Sequence, residues 1–372
     1  MKNLTKTISL LMLSIGLLKA QKDSSEIIRP FQITFITPMG TNGIQAPKIT
    51  NRVSLNVLAG VSRGVLGFEA AGLANVTLKS VKGVQMAGLA NIVLDSVHGA
   101  QFSSYVNYSG GNFKGVSAAG LCNVNLGTMH GAQFAAVANF NRKGITGIQV
   151  APYANITLGN LKGTQIAVFS NVVKKNVEGT QISVFANYAK KVKGVQLGIV
   201  NIADSMDGVS IGFFNIVKKG LHQAEISADE MFYANVAYRT GSRAFYNIIS
   251  AGIKPSGKDN VWQFGYGVGT SVKLKEKLYS ELSLSAHHVN NGSFYFGTSE
   301  LVRLYVGVEY KLAKKIALAA GPCLNLYMSD TYDSDYTKTF SKIPPYNMIN
   351  ETNTYGFNYK AWLGGKVALR FL

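Results

Sequence analysis

The stretch Gly83-Val84-Gln85-Met86-Ala87-Gly88-Leu89-Ala90-Asn91-Ile92-Val93-Leu94-Asp95-Ser96-Val97-His98 decides the fold, because the chain says it again and again. Asn75, Asn91, Asn107, Asn123, Asn139, Asn155, Asn171 and Asn187 follow one another at intervals of 16 residues, and Asn201 and Asn215 continue at 14. Gly67, Gly83, Gly99, Gly115, Gly131, Gly147, Gly163 and Gly179 each stand eight residues before one of the first eight; Gly194 and Gly208 stand seven before the last two. Most units open Gly-x-Gln, as in Gly163-Thr164-Gln165. A fixed period held this strictly marks a repeat architecture in which equivalent residues stack.

Sixteen residues suffice for two short strands and two tight turns, one coil of a β-solenoid. Counting each glycine as the first position, apolar residues recur at the second, fourth, seventh, tenth and fifteenth (Val84, Met86, Leu89, Ile92, Val97). The expectation is that these build the core. The asparagines are expected to form an internal ladder, with Asn75 a weakly held end rung beside the central Asn139. The glycines are expected to adopt backbone that other residues avoid. The competing geometry makes each unit one spanning strand, so that repeats and C-terminal strands close together as one large β-barrel. The small residues at Gly88, Ser104, Gly120 and Ala136 argue against that, since a lipid-facing surface is bulkier.

Composition narrows the class. The 372 residues are 47% hydrophobic but only 15% charged, which excludes a disordered chain and is low for a soluble enzyme. Two cysteines exclude a disulfide scaffold. The formal net charge is +18. In the repeats the bases gather in the back part of each unit, so stacking predicts a basic stripe. Lys174, Lys175, Lys190, Lys191, Lys218 and Lys219 are its candidate polyanion-binding residues. Lipopolysaccharide or acidic polysaccharide fits such a stripe; nothing in the pattern specifies a nucleic acid or a protein partner.

Residues 1–20 carry Lys2 and Lys6 before an apolar run and end on Ala20, the layout of a cleaved export signal. Residues 21–66 read as a cap of two strands, about 31–37 and 53–61, ahead of the repeats at 67–220. From 221 to 372 the repeat gives way to strict alternation. In 261–274 one face is Trp262, Phe264, Tyr266, Val268, Val272 and Leu274, and the other includes Gln263, Gly265, Ser271 and Lys273. In 301–312 Val302, Leu304, Val306, Val308 and Tyr310 oppose Arg303, Gly307 and Glu309. Strands of this length cross a bilayer when tilted, and short and long connections alternate between them. The expectation is an all-β chain: a 16-residue-period solenoid followed by an antiparallel outer-membrane-type barrel of about eight strands.

The export signal, the Gly-x-Gln repeats ending in Asn and the final aromatic strand together resemble surface-repeat-containing outer-membrane proteins of Gram-negative bacteria, especially of Bacteroidetes type; the ending departs from that pattern, with Phe371 penultimate and Leu372 last where barrel proteins of this kind usually end in Phe. The resemblance covers nearly all of residues 25–372. It implies an outer-membrane location in contact with lipid, and implies no defined activity or functional residues.

The search for chemistry yields no catalytic, cofactor-binding or metal constellation. His98 and His130 fall in turns, His287-His288 put successive rings on opposite faces, and Cys122 is expected inside the array as a buried thiol. Tyr332, Asp333, Asp335 and Tyr336 sit in a long connection and are the candidate external contact residues. The functional expectation is a non-enzymatic structural or binding protein of the envelope; a porin-like channel or transporter follows instead if the repeats complete one large barrel.

Overall fold

The computed structural model describes residues 26–255, 260–330 and 346–371. The proposed export signal, the candidate contact residues Tyr332, Asp333, Asp335 and Tyr336, and Leu372 lie outside the described residues.

The repeats form a parallel β-solenoid of about ten turns, and the C-terminal strands close into an antiparallel eight-stranded barrel. The single large barrel is thereby overturned: repeat strands pair parallel to their 16-residue equivalents, as Val81↔Val97, Gln85↔Gln101 and Asn91↔Asn107. A typical coil has a long strand (Val81–Ala87), a corner at Gly88 and Leu89, a short strand (Ala90–Val93) and a second corner at 94–96. Gly83 has φ 141°, and a Cβ there would lie 1.8 Å from the Gly67 carbonyl oxygen. Only glycine fits both constraints, and the column repeats them.

The core is not the one the apolar pattern predicts. Only the fifteenth position is fully inside: Val81, Val97, Phe113, Met129, Ile145 and Leu161 stack in one column, joined by Val93 and Val173 from the short strands. Met86 is 46% exposed and Leu89 42%, while Gln85 and Asn91 are 0% exposed. Successive strand residues face opposite ways, so glutamine at the third position turns its apolar neighbours outward. Cys122, expected inside, sits on an outward-facing, half-buried position; burial still pushes its thiol above the usual value.

What fills the interior beside the valines is amide. Each Asn Nδ2 donates to the next Asn Oδ1 at 2.9–3.1 Å, from Asn75 to Asn215. The same Nδ2 donates at 2.7–2.9 Å to a carbonyl at or next to the end of the next coil's long strand, as Asn91 to Phe102 O and Asn139 to Val150 O. The asparagine thus satisfies the acceptor left over where the chain turns the corner. Glutamines form a second ladder of opposite sense, each Nε2 donating back one coil: Gln101 to Gln85, Gln165 to Gln149, Gln196 to Gln181. It is broken at Ser117 and starts at the buried Glu69, which accepts from Gln85 Nε2 at 2.7 Å.

Asn75 is not an end rung. Asn56 Nδ2 donates to its Oδ1 at 3.0 Å, and Gln32, Asn42 and Asn51 extend the amide network beneath the cap. The cap strand Ile27–Ile36 lies parallel on Ile49–Ser62, and a 3-10 turn at Gly43–Lys48 follows it.

In the barrel, neighbours in sequence pair antiparallel from Leu221–Asp229 through Ala234–Gly241, Tyr246–Lys254, Val261–Lys273, Leu278–Asn291, Ser299–Lys311, Ile316–Asp330 and Phe357–Phe371. The last strand closes on the first, with Ala224 opposite Phe371. The turns at 242–245, 274–277 and 312–315 are short and lie at one end; at the other end are the 230–233 turn and the strand ends that the longer connections join, Lys254 and Val261, Asn291 and Ser299, Asp330 and Phe357.

Candidate functional site

Three surfaces follow from this fold: the barrel wall, the seam where the solenoid meets it, and the two edges of the solenoid.

The barrel is apolar outside and charged inside. Val302, Leu304, Val306, Val308 and Tyr310 are exposed, while Arg303, Glu309, Glu281, Arg239 and Arg370 are buried. Arg370 is the hub. Its Nε donates to Glu225 Oε2 at 2.7 Å and its Nη1 to Glu309 Oε2 at 2.8 Å. Nη1 also lies 2.7 Å from Glu281 Oε2, an ion pair whose angle does not make a hydrogen bond. Lys366 Nζ donates to Glu225, Arg239 Nη1 to Glu281 and Arg243 Nη2 to Glu309. Nearer the long connections Arg303 Nη1 donates to Asp229 at 2.6 Å, and Glu230 accepts from Trp362, Asn325 and the Gly365 amide. These side chains fill the interior, as in small barrels generally. At the long-connection end an aromatic cluster, Trp262, Phe264, Phe294 and Phe296, stands around His288. His288 contacts Glu300 Oε1 and Tyr295 O at 2.7 Å.

At the seam the last coil abuts the outer wall near the short turns. Asn215 donates from Nδ2 at 2.8 Å and from its backbone amide at 3.0 Å to Asn247 Oδ1. Asn247 Nδ2 donates to Gly212 O. Thr240 Oγ1 donates to Asn215 O, and a His222 ring nitrogen meets Val217 O at 2.8 Å. Phe213 stacks on Tyr266 with centroids 4.4 Å apart, and Tyr266 Oη donates to Phe213 O.

All six candidate lysines are exposed on one solenoid edge, beyond the short strand. Lys174 and Lys175 are one coil from Lys190 and Lys191. Lys218 and Lys219 are not adjacent to them: a coil carrying Asp204 intervenes. Asp204 pairs with Lys218 at 2.8 Å, and that hydrogen bond holds its carboxyl below the usual range. The stripe is therefore real in placement but partly neutralised at the barrel end.

Among the described residues no three His, Cys, Asp or Glu side chains are grouped to hold a metal ion. Asp330, which borders the long connection, accepts from Tyr295 Oη at 2.6 Å and from the Thr298 amide at 2.8 Å, so it anchors a loop. No protein-family profile, curated protein or solved structure matches this chain.

Sequence reading missed the seam and the charged lumen network. The network had a signal in the alternation of Glu225, Arg239, Glu281, Glu309 and Arg370 with apolar residues. The seam had none, because Asn247 stands in the alternating segment beyond the last repeat unit, without the glycine that stands seven or eight residues before the repeat rungs.

Proposed function

We propose that this chain is a non-enzymatic outer-membrane protein of a Gram-negative envelope, exported by residues 1–20, in which an eight-stranded barrel anchors a repeat array with a structural or binding role. The observation that carries the reading is the barrel's inversion. Its outer strand faces are Val, Leu, Ile, Phe and Tyr, while Arg370, Arg239, Glu281 and Glu309 are buried within. A barrel in water would be stable the other way round; one in hydrocarbon needs this pattern, closed so that no strand edge is left unpaired. The aromatic cluster at Trp262 and Phe294 suits the interfacial girdle of such barrels. The basic edge fits lipopolysaccharide or another acidic polysaccharide.

A porin-like reading depends on the repeats completing a large barrel, and they form coils instead. Fractionation of cells that express the full chain tests the location. Recovery with the outer membrane supports it, and recovery as a soluble periplasmic protein contradicts it. Ohmic conductance steps in planar bilayers would restore the channel reading.

A further inference from the structure

From 67 to 217 the segment of every coil from its glycine to the second residue after its asparagine contains one charged residue, Glu69, and its side chain is buried. Every Lys, Arg and Asp of these coils lies at the corner beyond or on its flanks. Outside, the long strand is charged only ahead of its glycine, as at Lys82 and Lys114; from the glycine onward, the long strand, the first corner and the short strand carry no exposed charge and are mainly apolar. Leu89, Tyr105, Leu121, Val137, Tyr153, Phe169, Phe185, Ile199 and Phe213 form one exposed ridge along that corner, about 40 Å long at the usual strand spacing. Met86, Phe102 and Phe134 flank it across a shallow groove floored by Ala118.

We infer that the solenoid lies edge-on in the lipid leaflet beside the barrel's short turns, its apolar ridge in the acyl chains and its basic edge among the headgroup phosphates. This rests on the barrel being a membrane barrel. Four observations converge on lipid as the occupant.

The first is continuity. The ridge ends at Phe213, which stacks on Tyr266 of the outer barrel wall. Tyr266 is three residues along its strand from Gly269, the partner of Tyr246 beside the short turn 242–245, hence about 10 Å from the rim. Lys219 and Gly220 border the rim itself, beside Ser242 and Arg243. The apolar edge therefore points towards the middle of the barrel wall and the basic edge away from it.

The second is depth. From the second position to the end of the long strand is three strand steps, about 10 Å, with the corner ridge beyond it, which fits within a leaflet of about 15 Å of hydrocarbon.

The third is backbone chemistry. A corner in lipid needs its amides bonded internally. Gly88 N donates to Ala71 O, Leu89 N and Ala90 N both donate to Leu73 O, and later coils repeat the pattern. Asn91 reaches the Phe102 carbonyl from inside.

The fourth is the charge. Lysines at the far corner suit anionic headgroups and can extend past the interface.

The test is site-directed spin labelling of the full chain in phospholipid vesicles containing phosphatidylglycerol, on a Cys122→Ala, Cys323→Ala background. Single labels go at Leu121→Cys and Val137→Cys on the ridge, Lys143→Cys and Lys175→Cys on the basic edge, and Val306→Cys on the barrel wall. Collision with oxygen and with a water-soluble nickel chelate is measured at each. The inference expects an oxygen-to-nickel ratio several-fold higher at Leu121 and Val137 than at Lys143 and Lys175, matching Val306. A high ratio at Val306 with nickel-accessible ridge labels overturns the inference and leaves the membrane barrel standing. Ridge labels shielded from both reagents overturn it too, in favour of a second copy or another protein covering the ridge. A nickel-accessible Val306 overturns the barrel reading on which all of this rests.

Discussion

Asn215, the last rung of the solenoid's amide ladder, donates to Asn247 on the outer wall of the barrel at 2.8 Å. The ladder that organises the repeats therefore does not end at their boundary; a barrel side chain supplies the acceptor an eleventh coil would have supplied. Asn247 also receives the Asn215 backbone amide, which no further strand pairs. Replacing Asn247 by Leu removes the acceptor of the Asn215 backbone amide in a buried seam, at about 1–3 kcal/mol, and leaves Asn215 Nδ2 with Gly212 O alone. Proteolysis near 218–220 should accelerate in this variant while the isolated fragments keep their strand content by circular dichroism.

Asn139→Leu should cost several times more than a surface change, because it removes bonds to Asn123, Asn155 and Val150 O at once. Asn75 has the same set of partners, Asn56, Asn91 and Met86 O. The two leucine variants should therefore lower the thermal midpoint comparably. An effect at Asn139 alone would place the end of the ladder at Asn75 after all.

Glu69 stands where later coils carry glutamine, and burial holds its carboxyl above the ordinary 4.5 despite hydrogen bonds from Gln85 and Thr77. The folded state thus holds a proton that the unfolded chain releases. Stability contributed by the neutral form is present below 4.5 and is lost as pH rises from there through the raised folded value. Glu69→Gln should raise the thermal midpoint at pH 7 and flatten its decline between pH 4 and 7. A lower midpoint at both pH values would mean that the anion is stabilised in place.

Arg370→Met removes one counter-charge from Glu225, Glu281 and Glu309 together, leaving them Lys366, Arg239 and Arg243 respectively. Loss of one partner from a buried ion network costs about 3–5 kcal/mol. The barrel should unfold at lower temperature in detergent, and adding Glu281→Gln should recover part of the loss. No shift in the single variant would contradict the hub.

Asp204 neutralises part of the basic edge through Lys218. Asp204→Asn should strengthen retention on lipopolysaccharide at low salt. Exchange of Lys174, Lys175, Lys190, Lys191, Lys218 and Lys219 for Gln should abolish it, and both effects should fade above physiological ionic strength, where screening shortens. Salt-independent retention would remove charge as its cause.

The period was legible because a solenoid forces the same residue onto the same site in each coil. Gln85 over Gln101 and Asn91 over Asn107 are the spacing itself. The direction of the faces was not. Met86 and Leu89 read as core because apolar residues are normally inside, and only the inward amides show that this solenoid inverts the rule. The same inversion was readable in the barrel, where Arg303 and Glu309 alternate with Leu304 and Val308. The seam at Asn247 depends on a contact between distant segments that no local pattern encodes.

The most direct measurement of the central claim is the electrophoretic mobility of the full chain after refolding into phospholipid vesicles, run with and without boiling. A closed barrel with Arg370 and its glutamates sealed inside resists detergent at room temperature. The account therefore predicts a compact, faster band before boiling, a slower one at the 40.0 kDa position or at the processed mass after it, and retention in the membrane through carbonate washing. A single mobility at both temperatures, with the protein released by the wash, would contradict a membrane barrel.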